Sequence, residues 1–239
     1  MDTIKINRRN TKMVAHRGLS GLERENSCAA FIAASHRDYH GIETDTHITA
    51  DGKYVVIHDN RTGRVSPVDI PVESSTYNDL RSVPLYDMDN ESRVDLKIPS
   101  LEEYIKICAR YEKIGVLELK TSFTKEQIGE ILDMVKTHYS IEGIIFISFK
   151  YDNLVYVREL CDEATVQFLT MDDVTDELVE KLKAYRMDLD LYYPRLTKEN
   201  LDMLHAEGII VNVWTVDNAE DGERLTEWGV DYITSNILQ

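Results

Sequence analysis

Short apolar runs alternate with stretches of helical periodicity along most of the chain. The runs at 12–15, 41–47, 114–119, 144–148, 164–169, 188–192, 209–214 and 231–234 predict eight strands. Helices are predicted between them, near 26–37, 100–111, 124–138, 151–160, 175–184, 197–206 and 219–228. Their ends carry physical signals. Ser100 with Glu103 and Thr124 with Gln127 fit capping boxes, and Thr197 is followed by Glu199 and Asn200 in a first turn. Asn26 is placed to cap the first helix, while Gly208 and Gly229 suit the left-handed position that closes a helix.

Two segments depart from this alternation. Asp51-Gly52 lies between two strand-like stretches and predicts a tight hairpin, so 54–58 runs back beside 41–47 instead of adding a barrel strand. Residues 60–99 hold four prolines, Pro67, Pro71, Pro84 and Pro99, and no sustained helical period. This stretch reads as an insertion, a lid or binding loop, within about 48–99. Eight strands interleaved with helices, and no glycine-rich dinucleotide turn, predict an α/β chain: a (β/α)8 TIM barrel with an inserted segment after the second barrel strand. One domain over 1–239 is expected; an open doubly wound sheet is the alternative.

Composition adds little to the fold but narrows the partners. At 43% hydrophobic residues the chain can fill a sizeable core. The 27 basic and 43 acidic residues give a formal charge of −16, which argues against nucleic acid or anionic membrane as a nonspecific partner. An anionic small molecule is still admitted, because Arg17, Lys120 and a bound cation can make a pocket locally positive. Cys28, Cys108 and Cys161 are widely spaced, with no CxxC pair, and read as buried thiols in a reducing compartment. The first twelve residues lack the apolar stretch of a secretory signal, and no apolar run reaches the roughly eighteen residues of a membrane span. A cytoplasmic location without stable membrane insertion is expected, and homo-oligomerisation through barrel helices is left open.

The chemistry lies where strands meet loops. His16-Arg17, Glu25-Asn26, Glu43, Asp45, His58-Asp59, Glu118 and Lys120 put charge beside apolar runs, and a barrel gathers its strand ends on one rim. Glu43 and Asp45 are two apart and share a strand face. With Glu118 they form an oxygen-only trio suited to magnesium or calcium, and less natural for zinc. The plainer alternative is that the glutamates form ordinary ion pairs with Arg17 and Lys120. His16 and His58 come from different loops and can flank a scissile bond as acid and base, although single histidines are common in cores. Arg17 offers a guanidinium fork to a phosphate and Lys120 a point charge. Glu25 reads as a loop-shaping or a substrate-contacting residue. Phe149, Tyr151, Tyr192, Tyr193 and Trp214 lie at or just beyond strand ends, and Trp214 reads as core or as a wall for glycerol or a quaternary ammonium. His47 is expected outside the pocket by alternation.

These residues sit in segments that resemble the glycerophosphodiester phosphodiesterase family: VAHRG at 14–18, EN at 25–26, GIETD at 41–45, DGKYVVIHD at 51–59, IPSLEE at 98–103, ELK at 118–120, ISF at 147–149, VNVWTVD at 211–217 and GVDYITS at 229–235. The resemblance implies a TIM barrel that hydrolyses a small-molecule glycerophosphodiester to glycerol 3-phosphate and an alcohol with one divalent cation, Mg2+ or Ca2+. It implies Glu43, Asp45 and Glu118 as metal ligands and His16 and His58 as catalytic. Arg17, Lys120, Trp214, Glu25 and Phe149 are then substrate-binding. A cyclic phosphate opened by water and a direct attack by water both fit this set. The sequence departs from the family pattern in NRTGRVSPVDI after His58-Asp59, in ITSN at the last strand, and in the added His47. Two other readings stay open: a phospholipase D-like lyase that stops at a cyclic phosphate, and a noncatalytic protein that binds glycerophosphodiesters.

Overall fold

The computed structural model describes residues 2–239. Eight parallel strands close into a barrel: β1 (Lys12–Ala15), β2 (Gly41–Ile48), β6 (Ile114–Leu119), β7 (Ile144–Ser148), β8 (Thr165–Thr170), β9 (Asp188–Tyr192), β10 (Val211–Trp214) and β11 (Tyr232–Ser235). Between β2 and β6 in the chain lie three short strands, β3 (Tyr54–Val56), β4 (Leu85–Tyr86) and β5 (Ser92–Arg93). Pairing of β1 with β11 on one side and with β2 on the other closes the ring. This is the expected (β/α)8 architecture, with all eight predicted strands in place.

Alternation along the strands divides the core in two. One set of side chains, including Met13, Ile42, Leu117, Phe146, Leu189 and Val213, packs outward against the helices. A smaller set, Val14, Val116, Ile145, Ile147, Leu169 and Tyr232, clusters separately. The covering helices are α1 (Cys28–Ser35), α3 (Leu101–Tyr111), α4 (Lys125–His138), α5 (Tyr151–Leu160), α6 (Asp176–Ala184), α7 (Lys198–Ala206) and α8 (Ala219–Trp228). Both capping boxes form, at Ser100/Glu103 and Thr124/Gln127. Thr197 caps α7, and Gly229 closes α8 in the left-handed conformation. Among the described residues no helix is long and apolar enough to cross a membrane. Cys108 and Cys161 are buried free thiols, whereas Cys28 is only half-buried.

The insertion is more ordered than its sequence predicts. β3 runs antiparallel to β2 with His47 opposite Val55, as the Asp51-Gly52 turn requires, but ends at Val56 instead of 58. The stretch expected to be irregular contains a helix, α2 (Tyr77–Ser82), with a capping box between Thr76 and Asp79. A six-residue helix is too short to display a hydrophobic period. β4 and β5 form a minimal hairpin. Val55, Ile57, Val65, Val72, Leu80, Leu85, Leu96 and Ile98 give the segment its own small core, and Arg81 fastens it to α3 through two bonds to Glu103, at 2.8 and 2.7 Å. The β2–β3 hairpin carries His58 back to the rim occupied by the end of β2.

Candidate active site

The carboxyl ends of the barrel strands enclose a pocket lined by His16, Arg17, Glu43, His58, Glu118, Lys120, Ile147, Phe149, Leu169, Asp190, Trp214 and Thr234. Of the predicted site residues, Asp45 and Glu25 do not line it. Asp45 lies buried behind the others, and the Glu25 carboxylate is held by Arg17 at 3.0 Å and by Arg64 at 2.7 and 2.8 Å.

Strand β2 places Glu43 and Asp45, and its neighbour β6 places Glu118 directly opposite Asp45. One carboxylate oxygen from each lies within 4.8 Å of the other two. The turn after β1 wraps this cluster. Arg17, in a left-handed conformation, donates its backbone N–H to Glu43 Oε2 at 2.7 Å. Gly18 follows with φ of +76°, and a Cβ there would stand 2.7 Å from the Ala30 carbonyl carbon, so this turn requires glycine. Asn26 was expected to cap the first helix. Ser27 caps it instead, and Asn26 adopts φ of 52° and turns inward. Its Nδ2 donates to Asp45 Oδ2 at 2.7 Å, and its Oδ1 accepts from Thr44 Oγ1 at 2.7 Å.

The basic groups neutralise part of the cluster. Lys120 Nζ lies 3.0 Å from Glu118 Oε1 and 3.3 Å from Asp45 Oδ1, and Arg17 Nε lies 3.5 Å from Asp45 Oδ2. These are the ion pairs of the plainer sequence reading, and they do not complete the cluster. Asp45 Oδ1 and Arg17 Nε are buried without a hydrogen-bond partner. Burial and the Asp45 charge raise the Glu43 carboxyl well above its ordinary range, and the same two causes push Glu118 up to about 8. Burial would also raise Asp45, but Lys120 and Arg17 outweigh it and hold that carboxyl low. Among the three, Asp45 is the permanent anion.

Both histidines are anchored at Nδ1. Asn236 Nδ2 donates to Asp217 Oδ2 at 2.6 Å, so its Oδ1 is the acceptor that faces His16 Nδ1 at 2.8 Å. His16 therefore carries its proton on Nδ1 and leaves the Nε2 lone pair free. Burial, followed by the Arg17 charge, lowers its pKa to about 4. His58 Nδ1 lies 2.6 Å from Asp59 Oδ1, and Arg64 Nε donates to the other oxygen of Asp59 at 2.6 Å. Burial lowers the His58 pKa as well.

His47 stays outside the pocket, though not by alternation. It shares the parity of Glu43 and Asp45, but at the strand end it turns to the insertion, where Nε2 donates to the His58 carbonyl at 3.2 Å. Phe149 and Trp214 meet edge to face at 5.6 Å between ring centroids, and Tyr192 adjoins Trp214 at 5.7 Å. Tyr151 and Tyr193 belong to the outer layer, Tyr151 against Phe168 and Tyr185, and Tyr193 bonded to Asp221.

Sequence reasoning did not single out Asn236, Asp217, Arg64 or Asp190. The unusual ITSN ending was a signal for Asn236, and the departure NRTGRVSPVDI contains Arg64. Ser235 donates to Asp217 at 3.0 Å, which shapes the last loop so that Asn236 reaches His16.

The profile of the glycerophosphoryl diester phosphodiesterase family matches residues 16–238. A glycerophosphodiester phosphodiesterase of Bacillus subtilis (strain 168) is 29% identical over 93% of this chain and 82% of its own length. A crystal structure of a glycerophosphodiester phosphodiesterase from Parabacteroides distasonis superimposes with a TM-score of 0.78 at 30% identity, covering 95% of this chain and 93% of that one. An Oleispira antarctica phosphodiesterase, solved in complex with the product sn-glycerol-3-phosphate, shares the fold with a TM-score of 0.88 at 22% identity, over 98% and 96% of the two chains. A match that runs from the first catalytic candidate, His16, to the end of the last barrel strand and beyond covers the whole site described above, and the chain belongs to the glycerophosphoryl diester phosphodiesterase family.

Proposed function

We propose that the chain hydrolyses a glycerophosphodiester to glycerol 3-phosphate and an alcohol, with one divalent cation held by Glu43, Asp45 and Glu118. The observation that carries this reading is the meeting of three buried carboxylates with two imidazoles whose Nδ1 atoms are already engaged.

The residues fit a hard cation. All donors are oxygens, their mutual spacing matches two ligands on one ion at about 2.0–2.6 Å each, and Asp45 Oδ1, though 3.3 Å from Lys120 Nζ, is buried without a hydrogen bond. Magnesium or calcium is the cation proposed. When bound it polarises the phosphoryl group and offsets its charge. Arg17 and Lys120 neutralise the remaining phosphoryl oxygens. His16, neutral and with Nε2 free, accepts the proton of the attacking hydroxyl. His58 is the better proton donor to the departing alkoxide, because the Asp59 carboxylate favours its imidazolium, whereas the partner of His16 is an uncharged amide. Phe149 and Trp214 form the apolar wall. The chain is read as one barrel domain, with its insertion supplying His58, in a reducing cytoplasm.

Release of glycerol 3-phosphate from glycerophosphocholine is expected with magnesium or calcium and is expected to be lost with chelator. A chelator-insensitive rate would remove the metal from the reading, and a cyclic phosphate as sole product in phosphorus NMR would make the chain a lyase.

Metal binding should also depend on pH with a defined sign. Glu118 has a folded pKa of about 8 against 4.5 when free, so between pH 4.5 and 8 the metal-free native state holds a proton that the unfolded chain has lost. Stability of the metal-free protein therefore falls as pH rises from 6.5 to 8. The lowered histidines act in the opposite sense, but only below their free pKa of 6.5. A cation displaces that proton, so its affinity rises across the same window. Thermal melts should show a larger cation-induced rise in Tm at pH 8 than at pH 6.5; an equal rise would mean that the carboxylates are already ionised.

A further inference from the structure

One acidic group in the pocket takes no part in the chemistry above. Asp190, on β9, is only 2% exposed and lines the same pocket as His16 and Glu118, yet its Oδ1 has no hydrogen-bond partner. Its neighbour in the sheet, Asn212 of β10, has the right groups to satisfy it. Those groups are committed elsewhere: Asn212 Nδ2 donates to Gln167 Oε1 at 3.3 Å, and Asn212 Oδ1 accepts from Thr234 Oγ1 at 3.1 Å. On the other side stands Leu169, which offers no polar atom. The Trp214 indole is tied to the same strand position, Nε1 donating to the Asp190 carbonyl at 3.3 Å. The carboxyl thus belongs to the wall that carries the aromatic ring.

A buried polar group without a partner is costly, and an apolar residue of similar size would avoid that cost. Its presence in a pocket points to an occupant that brings the missing donor. We propose that Asp190 accepts a hydrogen bond from a hydroxyl group of the bound phosphodiester and so helps set which substrates the pocket takes; this rests on the phosphodiesterase reading. A quaternary ammonium has no N–H to give. Burial raises the Asp190 carboxyl well above its ordinary range; a neutral carboxyl both donates and accepts, which a hydroxyl can match and an ammonium, a donor only, cannot. The hydroxyl can belong to the glycerol end or to a polyol leaving group.

The experiment compares the wild type with Asp190→Leu and Asp190→Asn on glycerophosphocholine, its 1-deoxy analogue, glycerophosphoglycerol and glycerophosphoethanolamine. If the glycerol end is read, Asp190→Leu raises KM for glycerophosphocholine at least tenfold, with a smaller change in kcat. The 1-deoxy analogue is then handled alike by wild type and variant, and Asp190→Asn keeps part of the discrimination. An effect confined to glycerophosphoglycerol supports the same hydrogen bond from the leaving group. Equal discrimination by wild type and Asp190→Leu, or a loss confined to glycerophosphoethanolamine, overturns the proposal. Thermal melts separate a structural role: the Leu variant should melt no lower than the wild type, and a lower melting point with unchanged substrate preference also overturns it. Should the wild type release no product at all, it is the phosphodiesterase reading that fails. Calorimetric titration with the same four diesters then reads the subsite without turnover, with a tenfold weaker fit of a hydroxylated diester to Asp190→Leu as support and equal affinity as refutation.

Discussion

Asp45→Asn is expected to lower kcat/KM for glycerophosphodiesters by a factor on the order of 10^3, with cation affinity falling in parallel. The argument starts from which carboxylate is charged before the cation arrives. Glu43 and Glu118 are pushed towards their neutral forms by burial and by the Asp45 charge, whereas Lys120 and Arg17 hold Asp45 ionised. Asp45 is therefore the anchor to which a cation is first drawn. Asn26 grips its Oδ2 and leaves Oδ1 buried without a hydrogen bond. Asparagine keeps the shape but removes the charge, and its amide can turn a donor towards the cation. Loss of a charged ligand removes several kcal/mol of transition-state charge stabilisation, about three powers of ten in rate. Cation titrations of both proteins, read by activity and by thermal shift, check this. Should the variant stay within about tenfold of wild type at every cation concentration, the ligand set would have to be redrawn without Asp45.

This cluster was legible in the sequence because its members sit on strands or directly at their ends. Glu43 and Asp45 share the parity of one strand, and β6 lies beside β2, so two local readings and one barrel closure bring three carboxylates together. Asn26 was misplaced for a physical reason. Asparagine is a good helix cap, but it also tolerates the left-handed region, and the turn used that freedom to send its side chain to Asp45 while Ser27 took the cap. His47 shows where alternation stops informing: it lies one residue past the last pairing of β2 with β6, where β2 pairs only with β3, so sharing the parity of Glu43 and Asp45 no longer places a side chain in the pocket. The supports of the histidines were least legible. Asn236 is 220 residues from His16 and meets it only because β11 closes the barrel on β1. Asp190 was hidden differently: it shares the parity of Asp188 in the strand DLDLY, and parity does not mark which of the two lies at the pocket's depth.

His16→Ala is expected to reduce kcat by a factor on the order of 10^3, in the middle of the range for losing a positioned general base. Its ring is held by the chain Asp217–Asn236–His16, in which each acceptor dictates the proton of the next group. With its pKa near 4, the imidazole is neutral across the physiological range and its Nε2 lone pair is available. The sign for pH follows. A base with a lowered pKa loses activity only as pH falls towards 4, so His16 should produce no acid limb near 6.5, the value of a free histidine. The cost of losing the tautomer is read separately through Asn236→Ala, expected to lower kcat by about tenfold to a hundredfold, since orientation of the base is lost while the base remains. The Asn236 bond raises the His16 pKa, so its removal cannot move an acid limb upward. Rate profiles from pH 4 to 9 for the three proteins distinguish these cases. A loss in Asn236→Ala across the whole plateau, without an upward shift of the acid limb, identifies Asn236 as the residue that sets the tautomer. An acid limb near 6.5 in the wild type that vanishes in His16→Ala would instead show a base that titrates freely, and the buried, preset imidazole would have to be abandoned.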